Sequence, residues 1–193
     1  MRRLGAELGV EAMALYKRVS SKDEILDGMV ELVVSRIDTP VERADWRDAM
    51  RSRAMSAREV LRRHSWAIGL LDSRRSMGPN QLRYVDAILG SLRSAGFSVD
   101  DAAHAFSLLD SYVYGHVVQE MSMSGRPEPA EQPGPPADPD AFSAEYPHLA
   151  EIAAHASSFS FDGEFAHGLE VILTALEPGA VKPDAGGPRR GRG

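Results

Sequence analysis

The chain has 193 residues, 43% apolar and 26% charged, with a net charge of −6, which suits one medium packed domain or a small module fused to a larger one. No apolar run approaches the roughly 20 residues of a membrane span, and no charged-then-apolar leader ends in a small-residue cleavage site, so the chain is expected in the cytoplasm. With zero cysteines, disulfides, thiolate catalysis and Cys-based zinc sites are excluded.

The acidic balance argues against a general polyanion binder, yet basic residues concentrate at both ends. Residues 1–22 hold Arg2, Arg3, Lys17, Arg18 and Lys22 against Glu7 and Glu11. Residues 178–193 hold Lys182, Arg189, Arg190 and Arg192 against Asp184; this Gly- and Pro-rich stretch reads as a disordered tail.

Helical spacing recurs throughout and period-two strand patterns are nearly absent, so the fold is expected to be all-α. At the start, Leu4 and Leu8 share one helical face and Leu15 and Val19 another, with Gly9-Val10 as a turn between. Ser21 followed by Glu24 is a capping-box signature. The helix it opens continues through Ile25, Leu26, Met29, Val30, Val33 and Ile37, and Pro40 stops it. A long helix over Asp45–Arg63 carries Trp46, Met50, Ala54, Ala57 and Leu61 on one stripe. Trp66–Leu71 reads as a short buried helix.

Pro79 opens the next helix, which points Leu82, Val85, Ile88, Leu89 and Leu92 inward and ends at Gly96. The longest runs from Ser98 to about Met123 through Phe106, Leu109, Tyr112, Val113 and Val117. Residues 125–140, GRPEPAEQPGPPADPD, contain six prolines and are expected to be a non-helical loop, either a spacer or a proline-rich docking segment. Helices over Ala141–Ala156 and Asp162–Leu176 follow, the last with Phe161, Phe165, Leu169, Ile172 and Leu176 in one row.

A short helix, a tight turn and a second helix make a helix-turn-helix, whose second helix lies in the major groove of DNA. With Leu15 and Val19 turned inward, Met13, Ala14, Tyr16, Lys17 and Arg18 lie outward. Tyr16, Lys17, Arg18 and Lys22 suit phosphate contact, and Ala12 and Ala14 allow close approach to thymine methyls. A plain helical hairpin with a solvated basic face has the same spacing.

LGAELGVEAMALYKRVSSKDEILDGMVE resembles the DNA-binding module of the tetracycline-repressor (TetR-like) family through Leu8-Gly9-Val10, Leu15-Tyr16, Arg18-Val19, Ser21-Lys22 and Ile25-Leu26. DWRDAMRSRAMSAREVLRRHSWA, GPNQLRYVDAILGSLRSAGFS and DAAHAFSLLDSYVYGHVVQE are similar to the regulatory domain of its tetracycline-repressor branch, so the resemblance runs to about residue 177. It implies a DNA-binding domain over 1–40 and an antiparallel helical regulatory and dimerisation domain over 41–177. It further implies a homodimeric regulator, usually a repressor, released from a palindromic operator by a small molecule. By position, Arg2, Ala12, Met13, Ala14, Tyr16, Arg18 and Lys22 match DNA contacts, although Ala12, Met13 and Ala14 depart from the polar or proline residues often found there.

Members of the family carry a further helix ahead of the point where this sequence begins. The resemblance therefore implies a missing first helix, an upstream start, and an exposed surface around Leu4, Leu8, Ile25 and Met29. The alternative it leaves is a dimeric small-molecule-binding protein that no longer holds DNA tightly.

The dimer is expected to use Gly115 and Gly168 for close helix approach and the row Phe165, Leu169, Ile172 and Leu176, unless that row packs on its own domain. A mostly apolar pocket is expected around Arg53, Leu71, Ser111 and Tyr114, with Asp110 as an anchor for a cationic ligand. Leu71, Ser111 and Gln119 stand where the tetracycline repressor holds its magnesium–drug chelate, so the effector is expected to be organic and not a metal–tetracycline; no cofactor is implied. The six histidines, His64, His104, His116, His148, His155 and His167, form no HxxxH or HExxH unit, and no G-x-S-x-G appears. An enzyme is therefore not expected.

Overall fold

The computed structural model describes residues 2–17, 19–40, 45–73, 77–124, 138–155 and 160–179. Arg18, most of the proline-rich loop and nearly all of the basic tail lie outside them. Among the described residues the ordered elements are helices, with no strand, and no helix is long and apolar enough to cross a membrane.

In chain order these are α1 (Arg2–Glu7), α2 (Ala12–Tyr16), α3 (Lys22–Val34), α4 (Trp46–Arg63), α5 (Trp66–Ser73), α6 (Pro79–Ser94), α7 (Val99–Ser124), α8 (Pro139–Glu145), α9 (Pro147–Ala154) and α10 (Phe161–Ala175). Starts are set by side chains that take orphan backbone N–H groups. Asp45 accepts from the amides of Arg47 and Asp48 at 2.9 and 3.3 Å, Ser98 from Asp101 at 3.0 Å, and Ser160 from Gly163 at 3.0 Å. At the end of α6, Gly96 turns the chain with φ +95°, a left-handed conformation that favours glycine.

The core lies between α4 and α7. The α4 stripe of Trp46, Met50, Ala54, Ala57 and Leu61 is buried as its spacing predicts, and it meets Ala102, Ala105, Leu109, Val113 and Val117 of α7. Trp46 packs edge-to-face on Phe97 at 4.9 Å. Helix α10 closes the other side. Arg58 of α4 ties three helices, pairing with Glu120 of α7 at 3.0 Å and Asp162 of α10 at 2.7 Å.

Several expectations are corrected. α2 ends at Tyr16 and α3 at Val34, each short of its apolar pattern. In α5, Ala67 is fully covered, Ile68, Leu70 and Leu71 are half-buried, and Trp66 and Gly69 are exposed. On α6, Leu82 is 56% exposed, and Tyr84 takes the inward place in step with Ile88 and Leu92, four residues apart on one face. Pro147 cannot donate to the preceding turn, so the helix expected over 141–156 is broken into α8 and α9. Pro139 and Asp140, assigned to the loop, instead form the first turn of α8, where Asp138 accepts from the amides of Asp140 and Ala141.

Candidate nucleic-acid interface and ligand cavity

The head begins with α1 and α2 packed against each other across a turn at Gly9. Gly9 has φ +67°, and the Val10 amide donates back to the Gly5 carbonyl at 2.9 Å. Met13, Ala14, Tyr16 and Lys17 on and after α2, and Lys22 at the start of α3, are exposed. The side chains of Arg2 and Ala12, like all of Arg18, lie outside the description. The cap ahead of α3 is shared by two serines. Ser21 accepts from the Glu24 amide at 3.1 Å, while Glu24 takes the Ser20 amide and hydroxyl, both at 2.6 Å, bonds that hold its carboxyl below the usual range. Leu4, Leu8 and Met29 are exposed, as expected, and Ile25 is half-buried.

Beneath α3 lies a cavity of about 520 Å³. Val34 and Ile37 form its head side, Ile68, Gly69 and Leu71 come from α5, Gln81, Tyr84 and Val85 from α6, and Phe106, Asp110, Tyr114 and Val118 from α7, with Met77 just before α6. Leu71, Asp110 and Tyr114 line it. Ser111 does not: one residue on from Asp110 turns the side chain about 100° around the helix, and it is exposed.

Arg53 stands behind the wall, 1% exposed. Its Nε donates to the Tyr84 hydroxyl at 2.7 Å, its Nη2 pairs with Asp110 Oδ1, and its guanidinium carbon lies 5.3 Å from the Tyr84 ring centre and 5.9 Å from that of Phe106. The Asp110 charge is thus met from inside the protein, which corrects its assignment as an anchor for a cationic ligand. Burial raises the Tyr84 and Tyr114 hydroxyls above the ordinary tyrosine value, so both stay protonated and able to donate. The cavity is an apolar chamber with one hydrogen-bonding edge. Tyr84 and Gln81 were missed in the sequence, although the four-residue step from Tyr84 to Ile88 marks Tyr84 as inward.

The row on α10 is also corrected. Phe165 and Leu169 are fully buried and Ile172 and Leu176 partly buried against the chain's own core. Gly168 serves a contact within the chain: a Cβ there would overlap the Tyr112 hydroxyl and lie 2.8 Å from its Cζ. That hydroxyl donates to the carbonyls of Glu164 and Phe165. Gly115 has open space before it; Leu108, two helical turns earlier on α7, and Val171 on α10 are exposed.

The family model for the tetracyclin repressor-like C-terminal domain matches residues 39–178. The chain is 30% identical over 190 residues to the HTH-type transcriptional repressor DrrR1 of Streptomyces coeruleorubidus, covering 92% of this chain and 69% of that one. It is 33% identical over 151 residues to an HTH-type transcriptional regulator of Saccharopolyspora erythraea, covering 78% of this chain and 64% of that one. The chain thus spans about two thirds of the length of these relatives. Its fold is similar to that of the Streptomyces coelicolor TetR family protein ActR in complex with actinorhodin, with a TM-score of 0.73 at 26% identity, covering 94% of this chain and 88% of that one.

Proposed function

The chain belongs to the tetracycline-repressor-like family, matched over residues 39–178, and on that premise we propose that it is a dimeric transcription repressor released from operator DNA by a small organic effector. Residues 1–40 form the reading head and 41–177 the regulatory body. The observation that carries the proposal is the seating of α3: it begins at the exposed Lys22, shortly after the exposed Tyr16 and Lys17, and ends at Val34, which with Ile37 just beyond the helix lines the cavity. One rigid element therefore joins a phosphate-binding surface to a ligand chamber.

The effector is an uncharged or weakly charged organic molecule, largely apolar, with hydrogen-bonding groups along the edge that meets Gln81, Tyr84, Asp110 and Tyr114. A metal–drug chelate is disfavoured by Leu71, Ser111 and Gln119, which stand at the positions that the family resemblance matches to the chelate site. The exposed face of α7 and α10 around Leu108, Gly115 and Val171 is the dimer surface, which gives two reading heads for two half-sites.

Selection of bound sequences from a random duplex pool by the full chain tests this reading. It predicts an enriched two-fold-symmetric sequence whose affinity falls steeply with salt, because phosphate contacts release counterions. Failure to enrich any sequence overturns it.

A further inference from the structure

Helix α3 is held to the body at two places of different character. The segment just after its C-terminus is fixed to α4 and the residue beyond that helix: Arg36 Nη1 bonds His64 Nε2 at 2.7 Å, and the Asp38 amide donates to the Ser56 hydroxyl at 2.9 Å. One turn earlier, Glu31 reaches a different helix. Its carboxylate accepts from the backbone amides of Asn80 at 2.6 Å and Gln81 at 3.2 Å, and its carbonyl accepts from Asn80 Nδ2 at 3.2 Å. The orphan amides of the α6 N-terminus are thus satisfied by a carboxylate borrowed from the head helix.

Gly78 makes room for this contact. Its backbone is extended, with φ −80° and ψ 175°, a conformation open to any residue, so space and not flexibility demands glycine. A Cβ at 78 would fall within the Glu31 carboxylate, 2.7 Å from its Cγ. Gln81 then connects the joint to the chamber: its amide donates to Glu31, its Oε1 accepts from the Gly78 amide at 3.1 Å, and its side chain lines the cavity. An occupant that draws on the Gln81 side chain or shifts α6 must disturb the same first turn that Glu31 caps.

We propose that Glu31 is the coupling residue of this protein, a latch on the first turn of α6 through which the state of the cavity sets the position of α3, with the Arg36 and Asp38 contacts as the pivot. The inference rests on the regulator reading above, and it assigns a residue and a bond to the communication that reading requires. Coupling of this kind is a free-energy difference between two arrangements that both sites bias.

The test uses the full chain and requires no DNA and no identified effector. Leu71→Trp fills part of the chamber and stands in for an occupant. Hydrogen exchange is followed through residues 22–34 and at the Asn80 and Gln81 amides in wild type, Leu71→Trp, Glu31→Gln and the double variant. Leu71→Trp is expected to change exchange in the first half of α3 by about fivefold or more when Glu31 is present, the lower end of typical coupling, and by less than about twofold in the Glu31→Gln background. Gly78→Ala, which displaces the carboxylate from the other side, is expected to uncouple equally, yet to add no further change in a Glu31→Ala background.

An equal response of α3 in the presence and absence of the Glu31 carboxylate overturns the assignment, as does no response in wild type. Because the readout involves no DNA, failure of the latch and failure of operator recognition are told apart: the first appears in exchange, the second only in sequence enrichment.

Discussion

Arg53 and Asp110, 57 residues apart in sequence, form an ion pair inside the protein, with the Arg53 side chain 1% exposed and the Asp110 side chain 17% exposed. A charge held this far from water is stable only while its partner and hydrogen bonds remain. Tyr84 supplies one such bond, and Arg53 Nη1 has no hydrogen-bond partner among the described residues. The pair therefore sets the shape and neutrality of the cavity wall at a cost in stability.

Removing one partner is expected to be far worse than removing both. Arg53→Ala strands the Asp110 carboxylate and the Tyr84 hydroxyl and should cost about 3 to 5 kcal/mol in urea unfolding. Arg53→Met combined with Asp110→Leu should lie within about 1 kcal/mol of wild type. Equal losses in the two proteins would mean that packing, not charge, governs the site.

His116 gives a pH dependence of definite sign. Burial and the nearby Arg58 cation lower its pKa below the ordinary value of 6.5, against the raising effect of the bond to the Phe161 carbonyl and of Glu120 and Glu164. That bond, 3.1 Å long, places the proton on Nε2. The fold keeps the ring neutral, so as pH falls the unfolded chain takes up the extra proton first. The stabilisation is complete above pH 6.5 and is lost as pH falls through the lowered folded value. Thermal midpoints between about pH 7.5 and about pH 5.5 should fall more steeply for wild type than for His116→Gln, a window above the range where carboxylates titrate.

The two faces of α10 should separate under mutation. Phe165, stacked on Tyr112 at 5.3 Å and lying under the Arg58 guanidinium at 5.0 Å, is interior, and Phe165→Ala should cost about 3 to 5 kcal/mol of stability. Val171 is 56% exposed. Val171→Glu should leave the monomer's stability within about 0.5 kcal/mol and convert a dimer to a monomer in light scattering. A dimer that survives Val171→Glu and Leu108→Glu together would place the intersubunit surface elsewhere.

The sequence carried most of the helices because their apolar residues repeat at 3.6 and their starts hold side chains that cap. The α4 stripe and the Gly96 stop were legible on those grounds alone. What periodicity could not say is which apolar surface covers which. The Phe165 and Leu169 row looked too apolar for water, and it is, but its cover is the chain's own core and not a second copy. The pocket residues show the same division. Asp110 and Tyr114 share a helical face and were found together, whereas Ser111 belongs to the other side, and Arg53 serves the wall from behind. Glu31 left no local signal, because the amides it satisfies lie about 50 residues away and only the folded chain brings them together.

The central claim is that the exposed surface of α2 and the start of α3 holds this protein on specific DNA. The most direct measurement maps chromosomal occupancy of the full chain in its own cells, comparing wild type with the Tyr16→Ala, Lys22→Ala double variant at equal abundance. The account predicts discrete occupied sites for wild type and their loss in the variant, since each substitution removes a proposed phosphate contact at an exposed position. Unchanged occupancy in the variant would contradict it.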